Sequence, residues 1–295
     1  MEFFIQTLID ASSLGSLYAL LALGLALVFG IMNLVNFAHG DLITIGGYTM
    51  VFLAAVPMLG VIAAAIMVVI ILALGMERVA FRPVRKANPT TLLVTSFGVS
   101  FLIQNLVILI IGALPKPVGL ISIDLLVPIS ILGMEVSKFS LITLAVTIFL
   151  LIALVMLLQK TALGIQMRAA AEDFTTAKLM GIKADRVIAA AFGLCGFLAG
   201  VVSVLWIGQM GTVAPLMGVE PTVMAFTAIV IGGMGSLSRA ALGGFLVGFI
   251  TIALQASLPL DIRVYRQAIL FGIVIIFLLT RPGGLMPLKT TGRKV

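Results

Sequence analysis

Asn36, His39 and Asp41 lie within a six-residue stretch and carry the widest chemical range in this chain. His39 is the only histidine. Polar side chains beside a membrane-length apolar run are costly to bury, so they face protein or water. Three uses are open to them. They can sit at a helix end in the interface and cap it, with Asp41 as N-cap of the next helix. They can touch a substrate, because Gly40 permits a sharp break and a broken helix offers its backbone groups to a ligand's charged ends. The third use is a proton relay, but there is no second intramembrane acid or base to take the proton.

A second cluster is Gly232, Gly233, Gly235 and Ser236 inside an apolar run. Small residues here suit either close helix packing or an unwound element. The unwound reading pairs this break with one at Gly46 and Gly47 in the first half. Glycine-interrupted segments in both halves point to a central substrate path.

The third feature is Lys160 to Arg186, the only long run rich in both charge signs, with apolar spans on either side. Such a loop belongs in water. Asp173 can cap a short helix over residues 174–180, with Lys178 in its last turn and Gly181 just past its end. Arg168 and Glu172 are spaced to pair across one helical turn. The small residues around Ala170 let such a helix fit a groove on a soluble partner. The plainer alternative is a connecting loop, yet most helix connections are shorter.

No enzyme signature accompanies these groups. The sequence has no Walker-type phosphate loop, no G-x-S-x-G and no H-E-x-x-H. Residues 232–236, GGMGS, lack the lysine a phosphate loop needs. One histidine and one cysteine, Cys195, support neither a metal site nor a disulfide. An intramembrane enzyme built on His39 and Asp41 would lack a nucleophile or metal partner. Any ATP-driven work requires ATP bound on another subunit.

The elements that must position these residues are set by composition. The 295 residues are 62% hydrophobic and 10% charged, against about 25% charged in soluble domains. The mean hydropathy is +1.29. So little polar surface cannot cover a water-soluble core of this size. A polytopic, all-α transmembrane helix bundle needs no such cover. The net charge of +7 would suggest nucleic acid in a soluble protein, but here the positives cluster in loops. The first residues carry no positive n-region, which predicts no cleaved signal.

Apolar runs predict spans near residues 8–30, 57–76, 91–111, 139–158, 187–207, 221–235, 240–257 and 267–280, with residues 33–56 as a further crossing or a re-entrant, broken element. The expectation is one transmembrane domain over 1–295 with about eight or nine segments, and the loop 160–186 within it. Gly15, Gly24 and Gly30 form a small-residue stripe in the first span. Residues 77–89 form a basic loop, and residues 112–138 form an outer loop with extended pieces. Placing residues 78–86, the loop 160–186, Arg239 and the tail on one side closes without conflict. That side holds 14 of the 18 Lys and Arg, which marks it as cytoplasmic.

Five stretches together resemble the permease subunits of branched-chain amino acid ABC importers. They are NFAHGDLITIGGY at 36–48, ERVAFRPVR at 77–85, RAAAEDFTTAKLMGIKADRVIA at 168–189, AFTAIVIGGMGSL at 225–237 and RPGGL at 281–285. Ser238 and Arg239 depart from the Pro-Gly common after Gly-Ser in that family. The resemblance implies a non-enzymatic transport subunit in the bacterial inner membrane with a cytoplasmic C-terminus. It implies a second, homologous permease, two cytoplasmic ABC ATPase subunits that hold ATP and Mg, and a periplasmic binding protein. It also implies that the loop around Ala170, Glu172, Asp173 and Gly181 docks on an ATPase. The substrates it implies are Leu, Ile and Val, with urea or short amides as the variant within the family. A stand-alone channel for a small neutral solute is the competing class, and a channel has little use for such a loop.

Overall fold

The computed structural model describes residues 2–85, 87–119, 128–131, 134–233, 235–281 and 283–285. Lys86, the apolar stretch 121–127 and the basic tail beyond 285 lie outside the described residues.

Helices dominate, as backbone groups in hydrocarbon must be satisfied within their own segment. In chain order they are α1 (Glu2–Met32), α2 (His39–Phe52), α3 (Met58–Val84), α4 (Pro89–Ile111), α5 (Lys138–Lys160), α6 (Ala162–Glu172), α7 (Phe174–Leu179), α8 (Ala184–Met210), α9 (Val219–Gly232), α10 (Leu237–Ser257) and α11 (Arg266–Thr280). Among the described residues seven segments are long and apolar enough to cross a membrane; α11 qualifies together with the short turn before it. The helices α2 and α9 have 14 residues each. At 1.5 Å per residue each is roughly 21 Å long, short of a hydrocarbon core of about 30 Å.

These two short helices start together. A Cβ on Gly40 would lie 1.9 Å from the Gly218 carbonyl oxygen, and one on Gly218 would lie 2.0 Å from that of Gly40. No side chain fits at this crossing. From it, α2 runs toward the loops after α4 and α8, where Gly47 packs on Ile207 and Val213. The other helix, α9, runs the opposite way to Gly232, which packs on the Arg239 backbone. Each is a half-length helix, and the two run from the shared start toward opposite sides. The expected break at Gly46 and Gly47 is absent: both lie inside the continuous α2, and Gly46 packs against Ser203. The breaks are the links 33–38 and 211–218, directly before the two short helices.

The axis of the bundle is α1. Its apolar window is 83% buried, against 22% for α3 and α4 and 11% for the last span, so those outer helices face lipid or other chains. It packs closely on α10, where a Cβ on Gly248 would sit 2.2 Å from Gly15 Cα and one on Gly244 would sit 2.4 Å from Ala19 Cα. Small residues four apart let two backbones approach in this way. The expected stripe is only partly used. Gly15 packs on Phe245 and Gly24 on the His39 ring, but nothing lies near Gly30.

The basic loops share a side. Among the described residues, Arg82 and Arg85 pair with Asp185, and Arg85 also pairs with Glu77. The basic loop expected from residue 77 is therefore partly helix. It continues α3 through a π-helical stretch, Glu77–Phe81, whose Phe81 is fully buried against Phe192. Apolar packing carries the helix past the sequence's change to charge. On the opposite side, β1 (Lys116–Pro117) pairs antiparallel with β4 (Thr212–Val213), and β2 (Pro128–Ile131) forms a hairpin with β3 (Met134–Ser137). These are the extended pieces expected in 112–138. The N-terminal end of α1 lies on this opposite side with Met210 and Arg266, and its C-terminal end lies with the basic loops.

Candidate functional site

The charged loop folds as two short helices with separate caps. Thr161 starts α6 by accepting the Gly164 N–H at 3.1 Å. Gly164 lets α6 fold back on α5, since a Cβ there would lie 2.3 Å from Leu158 Cα. Asp173 caps α7. Its Oδ1 accepts the N–H groups of Thr175 at 2.9 Å and Thr176 at 3.0 Å, and its Oδ2 accepts the Thr176 hydroxyl at 2.5 Å. The Thr176 hydroxyl and the two N–H groups hold the Asp173 carboxyl below its ordinary value, so it stays ionised at neutral pH. Gly181 closes the turn at φ +86°, and the Ile182 N–H bonds back to the Ala177 carbonyl at 3.1 Å. That is a glycine stop of the kind helices commonly use.

One face of this unit is anchored and the other is free. Met167, Ala170 and Ala177 are buried in the bundle, while Arg168, Glu172, Asp173 and Lys178 are exposed. Ala170 therefore packs inward. The helix α7 ends at Leu179, one residue short of the expected 180. Leu179 and Met180 stand 83% and 80% exposed at the tip. The turn carrying Arg168 and Glu172 is helical, yet no ion pair joins them among the described residues.

The unit also walls a cavity. A space of about 630 Å³ lies between α1, α5, α6 and the start of α10, and Arg168, Glu172, Gly235 and Ser236 line it. Gly233 and Gly235 turn the chain at φ +99° and +95°, a conformation that side chains disfavour. The second cluster thus marks a real break between α9 and α10, on the basic side. A second cavity of about 430 Å³ opens at the other end of α1, lined by Asp10, Tyr18, Trp206, Glu220 and Arg266.

Asn36, His39 and Asp41 line neither cavity. They sit deep in the bundle at the start of α2, all at 2% exposure or less. Asp41 is not the N-cap. The helix begins two residues earlier, and Asn36 supports its entry by accepting the Ala38 N–H at 3.1 Å. Asp41 Oδ1 accepts from Gln104 Nε2 at 3.0 Å, and the same nitrogen donates to Ser100 Oγ at 2.9 Å. His39 Nδ1 lies 3.1 Å from Cys195 Sγ. Among the described residues Asn36 Nδ2, His39 Nε2 and Asp41 Oδ2 have no hydrogen-bond partner.

The sequence model of the branched-chain amino acid transport system permease component matches residues 7–279. The high-affinity branched-chain amino acid transport permease BraD of Pseudomonas aeruginosa is 35% identical, over 96% of this chain and 95% of its own. The chain belongs to the branched-chain amino acid transport permease family. Escherichia coli LivH is 34% identical over 96% of each chain. A probable LivH permease of Methanocaldococcus jannaschii is 29% identical over 92% of this chain and 88% of its own. No solved structure matches.

In this permease the polar face of α4 is the feature that reading by motif passes over. Ser96, Ser100 and Gln104 recur every fourth residue in a largely apolar helix and are buried, with Gln104 against α2 and Ser96 against the link before it. That spacing, which places all three on one helical face, is the signal that could have found them. Gly218 is equally missed, because a lone glycine in a link has no local signature of close approach. Among the described residues no three His, Cys, Asp or Glu side chains come together to hold a metal.

Proposed function

We propose that this permease forms, with a second homologous permease, the membrane path for branched-chain amino acids in an ATP-driven importer. Two cytoplasmic ATPase subunits bind ATP and Mg. A periplasmic binding protein delivers substrate to the opposite face. The chain resides in the bacterial inner membrane with its C-terminus in the cytoplasm, in line with the positive-inside bias of its loops.

The observation that carries this reading is the α6–α7 unit. Its tip presents Leu179 and Met180 to water, and its inner face walls the 630 Å³ cavity. Exposed apolar side chains on a rigid, doubly capped element suit docking into a groove on a soluble subunit. A force applied at the tip reaches the cavity wall at Arg168 and Glu172 through the Asp173 junction, which its cap hydrogen bonds hold. The path then runs along α1, whose two ends each border a cavity, and alternating access means opening one while closing the other.

The test is Leu179→Asp combined with Met180→Asp in the reconstituted transporter. Leucine uptake should fall at least about tenfold, and the ATPase subunits should co-purify poorly, while permease levels in the membrane stay unchanged. Uptake at the unmodified rate would remove the docking role. Full-speed flux in vesicles without nucleotide would make the chain a channel.

A further inference from the structure

The cavity at the N-terminal end of α1 is built differently from the one beside the charged loop. Its wall holds an aromatic pair, Tyr18 and Trp206, with ring centroids 5.9 Å apart. Around that wall stand two carboxylates, Asp10 and Glu220, and one guanidinium, Arg266. Each charge is held by a glutamine amide. Gln6 donates to Asp10 at 3.3 Å, Gln267 donates to Glu220 at 2.6 Å, and Arg266 donates to Gln255 at 2.7 Å. Among the described residues no ion pair joins any of the three. An amide orients a charge without neutralising it. Both signs are therefore presented, uncancelled, on the rim of one partly apolar cavity.

We propose that this cavity is the permease's own receptor for a free zwitterionic amino acid, with Arg266 on the carboxylate, Glu220 on the ammonium, and Tyr18 and Trp206 against the aliphatic side chain. This rests on the reading of the chain as an amino acid permease. A planar guanidinium suits a carboxylate because two N–H groups can engage both oxygens. A plain anion would meet two carboxylates, and a plain cation would leave Arg266 unmatched; a ligand with both charges is matched on both sides. The volume lies in the ordinary range for small-molecule sites. Glu220 lies in the first turn of α9, so a ligand held there sits at the start of the half-helix that leads to the basic side.

Trp206 is the only tryptophan in the chain, which makes it a built-in reporter. The intact transporter in lipid nanodiscs is titrated with L-leucine, and the signal of the Trp206→Phe complex is subtracted. We expect a saturable change in Trp206 emission. Arg266→Gln and Glu220→Gln should each weaken it about tenfold or more, the scale of a hydrogen bond to a charged group. Leucine amide and N-acetyl-leucine, each lacking one charge, should bind weaker than leucine by a similar factor. Loss of the Trp206 signal with both variants still taking up leucine normally would overturn the proposal. So would leucine amide binding as well as leucine, or variants that change only the affinity for the binding protein. A wild-type complex that takes up no leucine at all would instead count against the transport reading itself.

Discussion

The helices α2 and α9 have the same length and start at the same glycine crossing, yet they are held in different ways. Side chains from two neighbours pin α2. Gln104 of α4 reaches Asp41, Cys195 of α8 meets His39, and Ser203 of α8 donates to the Ile43 carbonyl at 2.9 Å. The backbone mostly ties α9. Gly232 packs on the Arg239 carbonyl, the Leu285 N–H bonds to the Ile231 carbonyl at 2.8 Å, and Thr222 turns back on the Gly218 carbonyl in its own first turn. Among the described residues its one side-chain hydrogen bond to another helix, Gln267 to Glu220, is exposed. The contrast teaches that a pair of half-length helices can have one half fixed in the frame and the other half ending in a turn. That turn, at Gly233 and Gly235, borders the same cavity as Arg168 and Glu172.

The largest expected effect tests what the two halves share. Gly40→Ala drives a methyl into the Gly218 backbone, which cannot move without shifting α9. The loss should be about 3 kcal/mol or more, the upper end of overpacking costs, read as a lower melting temperature and a poor yield of folded permease. Gly30→Ala, which meets nothing, should stay within about 0.5 kcal/mol of the parent. Equal behaviour of the two variants would remove the crossing as a constraint.

Next in size is Gln104→Leu, aimed at α2. It removes the Gln104 donor from Asp41 Oδ1, at a cost of roughly 1–3 kcal/mol for a buried group. Hydrogen exchange should rise over 39–45 and stay unchanged over 219–232. The counterpart aimed at α9 is Gly233→Ala. Forcing a side chain at φ +99° costs about 1–2 kcal/mol, and exchange should rise at the end of α9 while α2 stays protected. If either substitution loosens both helices alike, the division into a fixed and a tethered half is wrong.

The smallest effect concerns the exposed loop. The Asp173 carboxyl is held below its ordinary value, so its cap is fully present above the unfolded value of 3.8 and is lost as pH falls through the lower folded one. Uptake should therefore show no titration of this cap between about pH 5 and 8. Asp173→Asn, which keeps an acceptor oxygen, should retain more transport than Asp173→Ala. A step in helicity of the loop near pH 6 would contradict the assignment.

Most of the helix order was legible from apolar runs, because lipid leaves the backbone few alternatives. The caps at Asp173 and Gly181 were legible as well, since they act within one turn of sequence. The depth of Asn36, His39 and Asp41 was not. Their burial depends on Gln104 and Cys195, 63 or more residues away. The misplacement of the break at Gly46 and Gly47 has the same origin. Paired glycines look alike whether they end a helix or admit Ser203 and Ile207 from a neighbour, and only the partner helix decides. The length of α3 was hidden for a related reason: Glu77 reads as loop, but Arg85 and the burial of Phe81 keep it helical.

The fork of Arg85, gripping Glu77 with one nitrogen and Asp185 with another, has a mechanical corollary. Asp185 is the second residue of α8, at the end of the charged loop. Whatever twists that junction must drag the tail of α3 along or tear the fork open. Torque entering at one point is thus shared by two spans from the outset, like a yoke across a pair of shafts.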